Sequence, residues 1–126
     1  MEAVQFPDVE GACMTFLRTE LTTRGDTATV GDKVPDNHGR FVRVQRAGGS
    51  RSLAHDGAMV IFECWDAKAA DAASLGALVR ALIGSMDTPT AWFSSEIGGL
   101  AFFPDPRTDL PRYQFTTLIR TRGKAI

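Results

Sequence analysis

The chain has little of what small domains use as covalent staples or as reaction chemistry, with two cysteines and two histidines in 126 residues. Cys13 and Cys64 stand 51 positions apart, too far for a CxxC redox motif. Each lies among apolar neighbours, so both read as reduced core thiols. His38 and His55 are too few for a His-rich zinc site. Long apolar runs are missing too. The longest, residues 58–62, falls far below the roughly 20 residues that cross a bilayer, so no membrane helix is expected. No Lys or Arg precedes Arg18, which excludes a charged signal-peptide start and an Arg-rich transit peptide and makes the cytoplasm the expected place of synthesis. Neither charge is in excess: 14 Lys and Arg against 15 Asp and Glu give a net −1, which argues against a dedicated DNA-binding module.

What is present is the composition of an ordinary globule, 44% hydrophobic and 23% charged, with no disorder bias, repeat or linker. One domain over 1–126 is expected. Asp8 can cap a helix in which Val9, Ala12, Cys13, Phe16, Leu17 and Leu21 recur at helical spacing, and Gly25 stops it. A short strand over 27–34 precedes a turn at 35–39. Strands over 41–46 and 58–65 follow, joined by a glycine-rich arm, 47–57, which is expected to be mobile until a partner orders it. Asp66 then caps an Ala- and Leu-rich helix through about residue 86. Strands over 98–103 and 112–121 close the chain around a turn at 104–109. The order α-β-β-β-α-β-β predicts an α+β fold, a mostly antiparallel sheet of four to five strands with two helices packed on one face.

Two features point to a partner. In the strand over 58–65, Ala58, Val60, Phe62 and Cys64 face one side while Met59, Ile61 and Trp65, with Glu63, face the other, so both faces are apolar. Two helices cover only one of them. The second face meets another subunit or protein, or else the chain termini lie on it. Charge is also segregated: residues 1–33 sum to −3, 34–56 to +2, 57–96 to −3 and 97–126 to +3. Acidic helices and basic strand segments suit head-to-tail docking between copies, although a solvated mixed surface gives the same sums.

The chemical inventory is weak. Ser50, Ser52, His55 and Asp56 form a hydrolase-like set on paper, but all belong to one loop, whereas a nucleophile and base need a rigid scaffold. Gly48-Gly49-Ser50-Arg51 lacks GxxxxGK[ST] and leads into a strand rather than a helix. Glu63 and Asp66 could pair for acid-base work, but Asp66 reads as a helix cap and Glu63 as an outward or ion-paired strand residue. Arg40, Arg43, Arg46 and Arg51 make a basic stripe with only Phe41 interleaved, which suits a protein partner better than stacked nucleic acid.

The segment Phe41-Val-Arg-Val-Gln-Arg-Ala-Gly-Gly49, then Ala58-Met-Val-Ile-Phe-Glu-Cys-Trp-Asp66 leading into the Ala-rich helix, resembles the tail terminator proteins of long-tailed (siphovirus-type) bacteriophages. The likeness continues through Pro104-Asp-Pro106, Pro111-Arg-Tyr-Gln-Phe115 and the closing strand to Arg120. It covers the chain from the Asp8 helix to Thr121, in loose patterns rather than a fingerprint. The resemblance implies a two-helix α+β domain without enzymatic activity that assembles as a hexameric ring in the virion tail. Such a ring caps the tail tube, stops its elongation and offers the surface for head joining. The implied partners are further copies of the chain, the major tail tube protein and a head-completion or stopper protein, with DNA passing passively through the lumen. No catalytic, cofactor or metal residue is implied. The candidate interface residues are Arg43, Arg46, Gly48, Gly49, Arg51, Trp65 and Arg112. A head-to-tail connector or other minor tail component is the neighbouring alternative. From another class, a small ligand-binding or hydrolytic α+β domain would use His55, Asp56 and Glu63.

Overall fold

Val9, Cys13, Leu17 and Leu21 recur every fourth residue, and they are the buried stripe of the first helix, α1 (Val9–Thr23). The computed structural model describes residues 3–36, 38–51 and 55–126, and every side chain among them except those of Arg51 and His55. Asp8 occupies the N-cap position, although its carboxylate makes no capping hydrogen bond. At the other end Gly25 takes a positive φ of 71°. The Gly25 amide donates to the Thr22 carbonyl at 3.0 Å and the Asp26 amide to Leu21 at 2.9 Å, the paired bonds of a Schellman stop.

In chain order the strands are β1 (Val4–Gln5), β2 (Thr29–Gly31), β3 (Phe41–Arg51), β4 (His55–Trp65), β5 (Ala91–Phe102), β6 (Arg112–Arg122) and β7 (Lys124–Ala125), with α2 (Ala69–Gly84) between β4 and β5. Five strands form one sheet in the order β2-β3-β4-β6-β5, while β1 and β7 pair separately and join the two ends of the chain. Only the three-residue β2 runs parallel to its neighbour, so the sheet is mostly antiparallel and the α+β class is as predicted.

Three expectations change. The mobile arm over 47–57 is largely strand: β3 continues to Arg51, β4 begins at His55, and the pairs Gly49↔Ala58, Ser50↔Gly57 and Arg51↔Asp56 hold them together. Glycines that suggest a loop instead form a β-bulge between Arg46 and Gly49. Ser52 and the rest of 52–54 lie outside the described residues, as does Asn37 of the turn predicted over 35–39. Asp66 is not the cap of α2; Lys68 holds that position, because the Asp66 carboxylate turns to Arg40 and to the Ala67 amide. Finally, β5 begins seven residues before the predicted strand, its alternation hidden by two register breaks around Ser94 and Gly98-Gly99.

Both helices pack on the same side of the sheet. Val42, Val44, Val60, Phe62, Cys64 and Ile119 point into that layer with no exposed surface, and the Phe62 and Phe115 rings stack across β4 and β6 at 5.1 Å. Gly76 lets α2 approach closely, since a Cβ there would lie 3.1 Å from Leu100 and 3.2 Å from Tyr113. Burial and nearby carboxylates push the Cys13 thiol up to about 12, and burial raises Cys64 as well, so neither thiol is reactive in the native fold.

Candidate interaction surface

Alternation along the strands sends Met59, Ile61, Glu63 and Trp65 of β4 to the side opposite the helices. Gln114, Thr116, Leu118 and Arg120 of β6 share that face through direct cross-strand pairing. On β5, Ile97 stands opposite Thr116 and remains 45% exposed. Met59, Ile61 and Leu118 are only half-buried. The second apolar face of β4 is therefore a continuous, open patch across three strands, with neither helix on it.

The upper end of this face is a charged cluster. Glu63, buried although charged, accepts from Arg112 at 2.9 Å and lies 3.4 Å from Arg43. The Arg112 guanidinium also lies over the Trp65 ring, 5.5 Å from its centroid, and donates to the Phe103 carbonyl. Phe41 and His38 pack against the other parts of that indole. Trp65 is only 1% exposed, and its Nε1 is buried without a hydrogen-bond partner among the described residues. Of the predicted interface residues, the structure thus gathers Arg43, Trp65 and Arg112 around Glu63.

Arg46 is elsewhere. It points to the helix side, where its guanidinium grips Asp56 through two bonds of 2.7 and 3.0 Å, while its backbone amide donates to Glu10 of α1. Gly48 and Gly49 lie at the bulge beside it, and the Arg46 Nε–H donates to the Gly48 carbonyl. Arg51 pairs through its backbone with Asp56, and its side chain lies outside the described residues. Asp56 is thereby committed to an ion pair, while Ser52 and the His55 side chain of the hydrolase-like set lie outside the described residues.

Sequence reasoning missed two groups. Arg40 donates to both Asp26 oxygens at 2.9 Å and to Asp66 at 3.1 Å, tying the end of α1 to the starts of β3 and α2. The Arg40 bond holds the Asp26 carboxyl below its usual 3.8, assisted by the Ala28 amide and opposed by desolvation. A depressed carboxyl contributes stability above 3.8 and loses it as pH falls through the lower folded value. Asp26→Asn should therefore cost about 2 kcal/mol at neutral pH, with the gap to the parent narrowing below pH 4 in acid-dependent urea melts. The second group is Arg120, Arg122 and Trp92 at the lower end of the open face. Arg122 lies 5.7 Å from the Trp92 ring centroid, and the Arg120 Nε–H donates to Ser94. The only signal available in sequence was the +3 of residues 97–126.

Two helices on one face of a mostly antiparallel sheet, with the other face open and rich in arginine, define a two-layer α+β domain. Such a fold occurs in a chain of the solved structure titled "Virion of native gene transfer agent (GTA) particle", with a TM-score of 0.55, 20% identity, and coverage of 91% of this chain and 93% of that one. At that identity the likeness is one of fold. No protein-family model matches the chain, and no curated protein matches it.

Proposed function

We propose that the chain is a structural component of a phage-like virion, and within it a tail terminator: a non-enzymatic subunit whose hexameric ring caps the tail tube, ends its growth and presents the head-joining surface. The observation that carries this reading is the end-to-end fold likeness to a chain of a gene transfer agent virion, with no substantial part of either chain left over. The open sheet face supports it independently, since a monomer has little reason to expose Met59, Ile61, Leu118 and Ile97 together. Among the described residues no helix is long and apolar enough to cross a membrane, and no three His, Cys, Asp or Glu side chains could hold one metal ion. In this reading the chemistry is shape and charge, with the tail tube protein and a head-completion protein as axial partners and DNA passing through the lumen.

Native mass spectrometry with negative-stain imaging tests this. A six-membered annulus, free or seated at the tip of purified tail tubes, is the expected result. Protein that stays monomeric at high concentration, alone and with tubes present, rejects the reading. Rings that bind head-completion protein but not tubes would instead assign the neighbouring connector role.

A further inference from the structure

Resting on the ring reading, we infer which two surfaces meet between copies: the open face of the sheet on one subunit seats on the α1 groove of the next. The sheet face has an apolar centre, Met59, Ile61, Leu118 and Ile97, with a charged rim. That rim holds Arg43, Arg112 and Arg120 beside the Glu63 carboxylate, while Arg122 at its lower end lines a cleft with Asp87 and Trp92. An apolar centre within a polar rim is the anatomy of a protein–protein contact and suits a phosphate backbone poorly.

The helix layer offers the complement. A shallow groove runs along the outer side of α1 against the chain leading into β5, with Ala12 and Phe16 among its apolar lining and Thr15, Thr19, Thr88 and Thr90 along it. Its only charged lining residues are Asp8 and Glu20. Glu20 is held by Arg24, while Asp8 has no ion-pair partner among the described residues. The sheet face is therefore apolar with excess guanidinium, and the groove carries Asp8 and Glu20 as its charged lining, with Arg122 and Lys124 lining the cleft that adjoins it at Asp8 and Thr90. Contact between unlike patches is heterologous, and when the rotation closes it produces a ring rather than a two-fold dimer. The charge segregation in the sequence takes this form in space, and opposite potentials would steer each addition.

Cross-linking between copies tests the pairing. Thr19 is exposed on α1 and Thr116 lies at the centre of the open face, while the native cysteines have no exposed surface, so introduced thiols report alone. Thr19→Cys and Thr116→Cys proteins, carrying different tags, are treated with a short bis-maleimide separately and mixed. The expected result is a covalent dimer containing one of each, formed only on mixing, and a ladder ending at the ring for the double variant. In the mixed sample Arg120→Glu on the Thr116→Cys partner should lower the yield at least several-fold. Its side chain donates to Ser94 from the exposed rim, so the melting temperature should move by no more than about 2 °C. Rings without the mixed cross-link, or Thr116→Cys cross-linking to itself, overturn this pairing and leave the ring reading standing. An unchanged yield with Arg120→Glu overturns the charge match, and a protein that forms neither ring nor cross-link overturns both.

Discussion

Arg46→Glu should lower the melting temperature by about 10 °C, a loss near 3 kcal/mol for a domain of this size. Read from the sequence alone, Arg46 belongs to a basic stripe waiting for an acidic partner, and charge reversal would then spare the monomer. The structure gives the opposite expectation. Asp56 is 3% exposed, and both of its oxygens are held by the Arg46 guanidinium. Reversal leaves that carboxylate buried and unpaired, and brings a second one beside it. Glu10, which accepts from the Arg46 amide, adds a third negative charge nearby. Removing one partner of a buried pair typically costs 3–5 kcal/mol; the 36% exposure of the Arg46 side chain places this case at the lower end. Scanning calorimetry decides it, and the exchanged pair Arg46→Glu with Asp56→Arg should recover part of the loss. A melting temperature equal to the parent's would mean that the guanidinium does not hold Asp56 in solution.

This case shows what the sequence conveys and what it hides. Periodicity locates both helices, because Val9, Cys13, Leu17 and Leu21 keep strict helical spacing, and alternation over Ala58 to Cys64 identifies the central strand with its two apolar faces. The fold class follows from these. Composition misleads where glycine and serine serve a strand: Gly48, Gly49 and Ser50 read as a loop, and Ser94 and Ser95 fall outside the strand predicted over 98–103, because a bulge breaks alternation just as a loop does. The termini carry no signal, since β1 and β7 are two residues each and exist only through one another. At the candidate surface, segment charges report an excess of Arg but not its pairing. Arg43 and Arg112 share Glu63, and Arg40 holds Asp26 and Asp66, through contacts separated by up to 49 positions that no local pattern encodes.

Gly49 and Gly48 should respond very differently to the same substitution. Both have positive φ, 120° and 101°, so an L side chain at either position is strained. Around Gly48 nothing lies within 4 Å of where a Cβ would stand, and Gly48→Ala should cost only the backbone strain, about 1 kcal/mol. At Gly49 the added carbon would run into the Gly57 carbonyl oxygen and stand 2.9 Å from the Ala58 Cα. Those are backbone atoms of β4, and β4 is the centre of the sheet, paired with β6 from His55 to Trp65. They cannot rotate away as a side chain would. Either β3 and β4 separate near the bulge or the register slips, and a one-residue slip would carry the side chains of β3 to the opposite face. Overpacking and strain together place Gly49→Ala at about 4 kcal/mol. Urea unfolding of the two variants should therefore separate them by about 3 kcal/mol, with amide exchange in Gly49→Ala accelerating first at 49–51 and 56–58 and only later at 60–64, where the ladder beyond the bulge is intact. Equal losses for the two glycines would show that β4 yields locally, and that the close approach of Gly49 to Gly57 does not hold the hairpin in register.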